Sequence, residues 1–246
     1  MGAEAFDFGE VFDEDYLYFY GPRLEESRDL DADLLWRLLA LAPGTRVLDL
    51  ACGHGRIANR LAERGAAVSG LDASELFLGR AREEALALGT EVDYVQGDMR
   101  SPPWPERSFD SVISWFTSFG YFDDSENRRV LSEARRVLRP GGRLLIESNN
   151  LVEVLSRWLP AVVVQRDHDF ALDRARFDPI AGRATTERIT VREGRVRRFV
   201  FSVRMFVASE LLTWLHDAGF DRVDFYGPDG ERLTATSRRM IAVAHR

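Results

Sequence analysis

The chain has 246 residues, of which 45% are hydrophobic, enough for one sizeable core carrying an embellishment rather than several independent domains. A formal charge of -7 argues against nucleic acid as the main partner, and the 33 basic residues are all arginine, which we read as coding bias. One cysteine precludes an internal disulfide, the acidic start Met1 to Asp15 lacks the basic-then-apolar order of a secretory signal, and no apolar run approaches the ~18 residues of a membrane span, so a cytoplasmic protein is expected.

Glu10 to Leu41 reads as helix with a break at Gly21-Pro22, because proline has no N–H to donate and disfavours helix in the residue before it. Two short helices are expected, the first aromatic through Tyr16, Tyr18, Phe19 and Tyr20. Val47 to Ala58, VLDLACGHGRIA, then reads as strand, glycine turn and helix, with Asp49 near the strand's end and Gly53-His54-Gly55 as the turn. Glycines let the backbone close in on a ligand, and the free N–H groups of the next helix favour its negative end. That suits an adenosine-bearing cofactor, although Gly53, Gly55 and Ala58 also satisfy the G-x-G-x-x-G/A pattern of dinucleotide dehydrogenases.

A second apolar run ends at Asp72, spaced to take a ribose diol. A third, Val92 to Gln96, leads into Gly97-Asp98-Met99, which sets an acid and a backbone amide where an adenine edge would lie. Apolar spacing predicts helices over Arg56 to Ala62 and Glu75 to Leu88, ended by Gly65 and Gly89. Phe109 to Trp115 is the fourth strand, Ser125 to Leu138 the next helix, Arg139 to Gly142 a turn, and Arg143 to Ser148 the fifth strand. Such alternation demands a parallel sheet with helices on both faces and a ligand crevice at the strands' carboxyl ends.

Leu151 to Met205 is too long for a plain connection. Phe199, Phe201, Val203 and Met205 fall on one face and Arg198, Ser202 and Arg204 on the other, with turn signals at Asp178-Pro179 to Gly182 and at Glu193-Gly194. A three- or four-stranded antiparallel meander is predicted, with an exposed apolar strand face that needs covering. Ser209 is expected to cap a helix running to Ala218. Strands Arg222 to Tyr226 and Arg239 to Ala244 should then pair antiparallel around the Gly227 to Gly230 turn.

The order VLDLACGHG, GLDAS, GDM, FDSVISWF and LRPGG, five motifs in register, resembles the class I S-adenosylmethionine-dependent methyltransferases over roughly residues 33–148 and the last 35 or so. The resemblance implies an α/β, Rossmann-like, seven-stranded mixed sheet, its last strand antiparallel between the fifth and sixth, with the antiparallel β insertion added to cap the substrate or to pair two copies of the chain as a homodimer. It implies a helical lid over 1–45, a cofactor-binding core over 46–150, the insertion over 151–206, and completion of the core over 207–246. For the cofactor S-adenosylmethionine it implies that Asp49 holds the methionyl ammonium, that Ala51, Gly53 and Gly55 line the methionine, and that Asp72, with Ala73 beside it, grips the ribose. Asp98 and the Met99 amide would read adenine, Ser114 and Trp115 would face the cofactor with backbone carbonyls, and Tyr16, Tyr20 and Arg23 would close the site.

The expected activity is methyl transfer to a nitrogen or oxygen of a small molecule. A sulfonium activates its own methyl group, so positioning dominates, an effect worth up to about 7–11 kcal/mol in model systems. Tyr121, just beyond the fourth strand, and His168, in the insertion, are the candidates for a base. No metal is expected, because His168 with Asp167 and Asp169 lacks further ligands at suitable spacing. Cys52 reads as a small buried filler. A nucleic-acid or protein methyltransferase is the nearest rival, lowered by SWFTSF standing where an Asn/Asp-Pro-Pro-Tyr/Phe set would be. An NAD-dependent oxidoreductase and a non-catalytic cofactor-binding module follow.

Overall fold

The computed structural model describes residues 8–246, so the lid expectation for residues 1–7 lies outside the described residues. Three helices come first: α1 (Phe8–Val11), α2 (Glu14–Glu26) and α3 (Arg28–Leu38). Asp13 caps α2, its carboxylate accepting from the Tyr16 amide at 3.0 Å. The expected break at Gly21-Pro22 does not occur. Pro22 sits inside α2, and the chain turns instead at Ser27. The reason is a tertiary contact: the Tyr18 carbonyl, which a residue-22 N–H would have served, accepts from Arg166 Nη1 at 2.6 Å.

β1 (Arg46–Leu50), α4 (Arg56–Glu63), β2 (Ala67–Asp72), α5 (Glu75–Leu88), β3 (Val92–Gln96), β4 (Phe109–Ser114), α6 (Asp124–Val137) and β5 (Leu138–Asn149) follow in alternation. Ser74 and Asp123 cap α5 and α6, accepting from the Phe77 and Glu126 amides, and Gly89 ends α5 at φ +67°. The expected turn at Arg139 to Gly142 lies within β5, because Leu138 already pairs with Phe109 before the register shifts.

The insertion comprises α7 (Leu151–Ser156) and the strands β6 (Ala161–Arg166), β7 (Asp169–Asp178), β8 (Arg183–Arg192) and β9 (Arg195–Arg204), a four-stranded antiparallel sheet in chain order. α8 (Ala208–Asp217), β10 (Arg222–Tyr226) and β11 (Arg239–His245) complete the core. Ser209 is not the cap of α8: Val207 holds that position and Ser209 lies in the first turn.

The main sheet has the order β10-β11-β5-β4-β1-β2-β3. β11 runs antiparallel to both β5 and β10, while β5, β4, β1, β2 and β3 are parallel. Strand alternation sends neighbouring side chains into opposite layers. Val47 packs with Leu35, Ile57 and Leu78 on one side, whereas Leu48 and Leu50 pack with Leu131, Trp214 and Met240 on the other. The five parallel strands therefore deliver their carboxyl ends, and the loops after them, to one rim of a sheet buried on both faces. Among the described residues no helix is long and apolar enough to cross a membrane.

Candidate functional site

Above that rim, roofed by α1, α2 and the insertion, lies a cavity of about 1380 Å³, larger than the ~300–1000 Å³ usual for one small ligand. Asp49, Ala51 and Gly53 line it from the end of β1, Asp72 and Ala73 from β2, and Asp98 and Met99 from the turn after β3. Trp115 and Tyr121 line it from beyond β4, and Tyr16, Tyr20 and Arg23 from α2. The three acids separated along the sequence thus reach one pocket.

Asp49 is 2% exposed and its carboxyl has no hydrogen-bond partner among the described residues. Burial, then the nearby Asp72 carboxylate, pushes it up to about 8. A buried acid left without a partner favours its protonated form, and a cation brought to it would favour the carboxylate. Asp72 is braced differently, accepting from the Gly53 and Ser74 amides at 2.8 Å each. Burial raises it and those amides oppose the rise. Asp98 holds Arg100, whose Nε and Nη2 reach its oxygens at 2.9 and 2.6 Å, and that hydrogen-bonded pairing keeps the carboxyl below its ordinary range.

Other expected residues are not brought to the cavity. Gly55, at φ +80°, is closed in by packing, since a Cβ there would meet the Tyr94 hydroxyl and the Ala81 Cβ, the latter at 2.7 Å. Its role is to let α4 seat against α5 and β3; Gly53 is the glycine that opens onto the cavity. Ser114 is buried at 2% exposure below the lining. His168 is exposed in the β6–β7 turn set by the Arg166–Asp169 pairing and does not line the cavity; its neighbours Arg166 and Asp167 lie against Tyr18 of α2. Cys52 and Met99 side chains are core, at 9% and 7% exposure. Tyr121 lines the cavity, but burial holds its phenol above its ordinary value, and the same cause raises Tyr16. Both are hydrogen-bonding phenols at neutral pH, which works against Tyr121 as a base.

The residues that sequence reasoning missed are arginines and their partners. Arg56, the first residue of α4, pairs with Asp31 of α3 at 2.7 Å. His54 meets Glu25 of α2 at 3.2 Å, which fastens the glycine turn to the roof. Arg239, at the start of β11, binds both oxygens of Glu147 and donates to Asn149 at 2.7 Å and Thr117 at 2.9 Å. Glu147 also accepts from the Thr117 amide at 3.2 Å. This network braces Phe116 and Thr117, consecutive non-glycine residues at φ +59° and +58°, so the loop presenting Trp115 keeps a shape that costs of order 1–3 kcal/mol per residue. The insertion grips α2 through Arg197 on Asp13 and Asp15, and Arg192 on Asp15 at 2.9 Å. Among the described residues no group of side chains is placed to hold a metal ion.

The comparisons agree with this geometry. The family described as "Methyltransferase domain" matches residues 47–142, the span that supplies the three acids. The chain is 33% identical over 192 residues to the ubiquinone/menaquinone biosynthesis C-methyltransferase UbiE of Roseobacter denitrificans, covering 76% of this chain and 70% of that one. It is 41% identical over 123 residues to the demethylmenaquinone methyltransferase of Thermus thermophilus, of whose length it spans about half, 54%. Among solved structures, the CcbJ methyltransferase from Streptomyces caelestis superposes with a TM-score of 0.75 at 26% identity, covering 88% of this chain and 89% of that one. With the reversed β11, the glycine turn and an unpartnered acid at the tip of β1, these matches leave one assignment: the chain belongs to the class I S-adenosylmethionine-dependent methyltransferases.

Proposed function

We propose that the enzyme transfers the methyl group of S-adenosylmethionine to a nitrogen or oxygen of a small molecule. The observation that carries the reading is the division of one oversized cavity into an acid-bearing half on the strand tips and an aromatic half beneath α2 and the insertion. In the first half Asp49 receives the methionyl ammonium, Ala51 and Gly53 line the methionine, Asp72 and Ala73 take the ribose, and Asp98 and Met99 take adenine. Arg100 must then share Asp98 or swing to its second partner, Glu126. Bound there, the cofactor supplies an activated methyl group.

The second half holds the acceptor. Phe12 and Tyr121 pack edge to face at 5.5 Å and Tyr16 and Tyr20 lie tilted at 5.2 Å, so the rings form an apolar slot that excludes water and fixes an incoming lone pair. Tyr121 donates a hydrogen bond to the acceptor. Nitrogen is the better target, because a free amine attacks without prior proton removal and its proton leaves afterwards to solvent, whereas the phenols here resist ionisation. Methyl transfer to carbon is the second reading, favoured by the activity named for the Roseobacter relative. The insertion, residues 151–206, serves as the acceptor's cap, and residues 1–45 as the lid it clasps. Its outer face carries Val163, Phe170, Val196 and Val200 on one side by register, at 60, 37, 68 and 60% exposure, the surface through which two copies would pair as a homodimer; sedimentation velocity reads this directly.

The test is a screen with methyl-labelled cofactor against amino sugars, phenols and small amines, with product mass and carbon-13 spectra distinguishing N–CH₃, O–CH₃ and C–CH₃. A labelled N- or O-methyl product bears the proposal out. Exclusive C-methyl product transfers the assignment to the second reading, and S-adenosylhomocysteine failing to raise the melting temperature removes the cofactor assignment.

A further inference from the structure

Two arginines of the insertion line the cavity, Arg188 and Arg204; Arg204 is committed to Glu210 and to the Gly182 and Met205 carbonyls, which leaves Arg188 as the cation turned to the acceptor half. Arg188 of β8 is 7% exposed and lines the cavity. Its Nε and Nη2 both bind Asp173 of β7 at 2.7 Å, a side-on fork that leaves Nη1 on the far side. Asp173 itself does not line the cavity: it stands behind the guanidinium, receiving a further hydrogen bond from the Tyr20 hydroxyl at 3.3 Å. The guanidinium carbon lies 4.7 Å from the Tyr20 ring and 5.1 Å from the Phe201 ring, so packing fixes its plane. A guanidinium so held is preorganised, and its remaining N–H groups face a partly desolvated space.

The charges around that space point the same way. Of the other acids lining the cavity, Asp31 is paired with Arg56, Glu147 with Arg239 and Asp98 with Arg100, while Asp49 and Asp72 stand on the strand tips in the half assigned to the cofactor. The Tyr16 phenol, in the middle of the roof, lies within Coulombic reach of Arg188, Arg56 and Arg239. We propose that Arg188 recognises the methyl acceptor through an anionic oxygen group, carboxylate or phosphate, which the acceptor carries in addition to the atom that is methylated. The inference rests on the acceptor half assigned above.

The test uses three probes that share a benzylic amine: 4-(aminomethyl)benzoate, 4-(aminomethyl)phenyl phosphate and the neutral 4-(aminomethyl)benzamide. Each is titrated by calorimetry into the full chain, with and without saturating S-adenosylhomocysteine. At least one anionic probe should bind tenfold or more tightly than the amide, the range a charge-assisted hydrogen bond spans, and the better of the two anions tells carboxylate from phosphate. Arg188→Met should abolish the preference while S-adenosylhomocysteine affinity stays within twofold. Because that variant strands Asp173, R188M/D173N is measured beside it, and Arg188→Lys should restore part of the preference. Equal binding of amide and anions in the wild type, or an anion preference that survives in R188M/D173N, overturns the proposal. Anion preference without any S-adenosylhomocysteine binding overturns the methyl-transfer reading and leaves the subsite standing.

Discussion

Asp49→Asn separates what the site costs the fold from what it gives the reaction. In the unfolded chain an aspartate titrates near 3.9; in the folded protein without cofactor Asp49 is pushed up to about 8 by burial and by Asp72. Between those values the folded state binds one proton more than the unfolded state, so stability falls as pH rises through the window and the whole penalty is present above pH 8. Four pH units at 1.36 kcal/mol each give about 5 kcal/mol. Asparagine nearly matches the shape and carries no titrating proton. The variant should therefore equal the wild type near pH 4 and exceed it progressively, by at least about 2 kcal/mol at pH 8.

Urea unfolding at pH 5, 6, 7 and 8 without cofactor measures the difference. A cation brought to Asp49 must expel its proton, so S-adenosylhomocysteine binding to the wild type should release close to one proton at pH 6–7, readable by calorimetry in buffers of different ionisation enthalpy. The variant should release none from this site and bind weakly. A stability difference that stays constant from pH 5 to 8, together with equal proton release, refutes the picture of an unpartnered acid awaiting a cation.

Asp72→Ala removes the carboxylate that accepts from the Gly53 and Ser74 amides; S-adenosylhomocysteine affinity should fall by about 1.5–3 kcal/mol, and unchanged affinity by calorimetry dismisses the ribose assignment. Tyr121→Phe should lower turnover up to about tenfold, a neutral hydrogen bond's worth, with KM within twofold and the pH profile unmoved, since the phenol does not ionise in the assay range; a full rate makes Tyr121 wall alone. Arg239→Met leaves the 3%-exposed Glu147 carboxylate uncompensated and should cost about 3–5 kcal/mol by urea unfolding, most of it recovered in R239M/E147Q; a loss below 1 kcal/mol means the pair does not brace the Thr117 loop.

The core strands were legible because each is an apolar run bounded by glycine or an acid, and the acids at the ends of β2 and β1 and after β3 inherit their meeting place from the parallel sheet. Residues whose job depends on distant pairing were not. Pro22 reads as a helix breaker until Arg166, 144 positions away by number, is seen to serve the carbonyl that proline abandons. Gly55 fits a ligand-binding pattern, yet the space it keeps clear belongs to Tyr94 and Ala81. Arg188 shares a face with Thr186 and Thr190 on an ordinary-looking strand, and only the register Asp173 to Arg188 to Phe199 puts it opposite an acid and beside the pocket's rings. His168, the more conspicuous residue by sequence, falls in the exposed turn that the Arg166–Asp169 pairing sets, outside the cavity lining.

The pocket's chemistry is segregated by the elements that build it. The parallel strands contribute Asp49, Asp72 and Asp98, none of which needs the insertion to reach the cavity. The insertion contributes a guanidinium whose counter-ion is kept behind it, and closes the roof by gripping α2 through Arg192 and Arg197. On the proposed reading a cationic cofactor would be drawn to Asp49 and Asp72, the strand-tip acids that no arginine pairs, and an anionic group of the acceptor to Arg188. If that is how the site works, the core fixes which methyl donor is used, and the inward face of β8 and β9 fixes which acceptor. Exchanging that face between members of the family should then change the acceptor while leaving S-adenosylhomocysteine affinity unaltered.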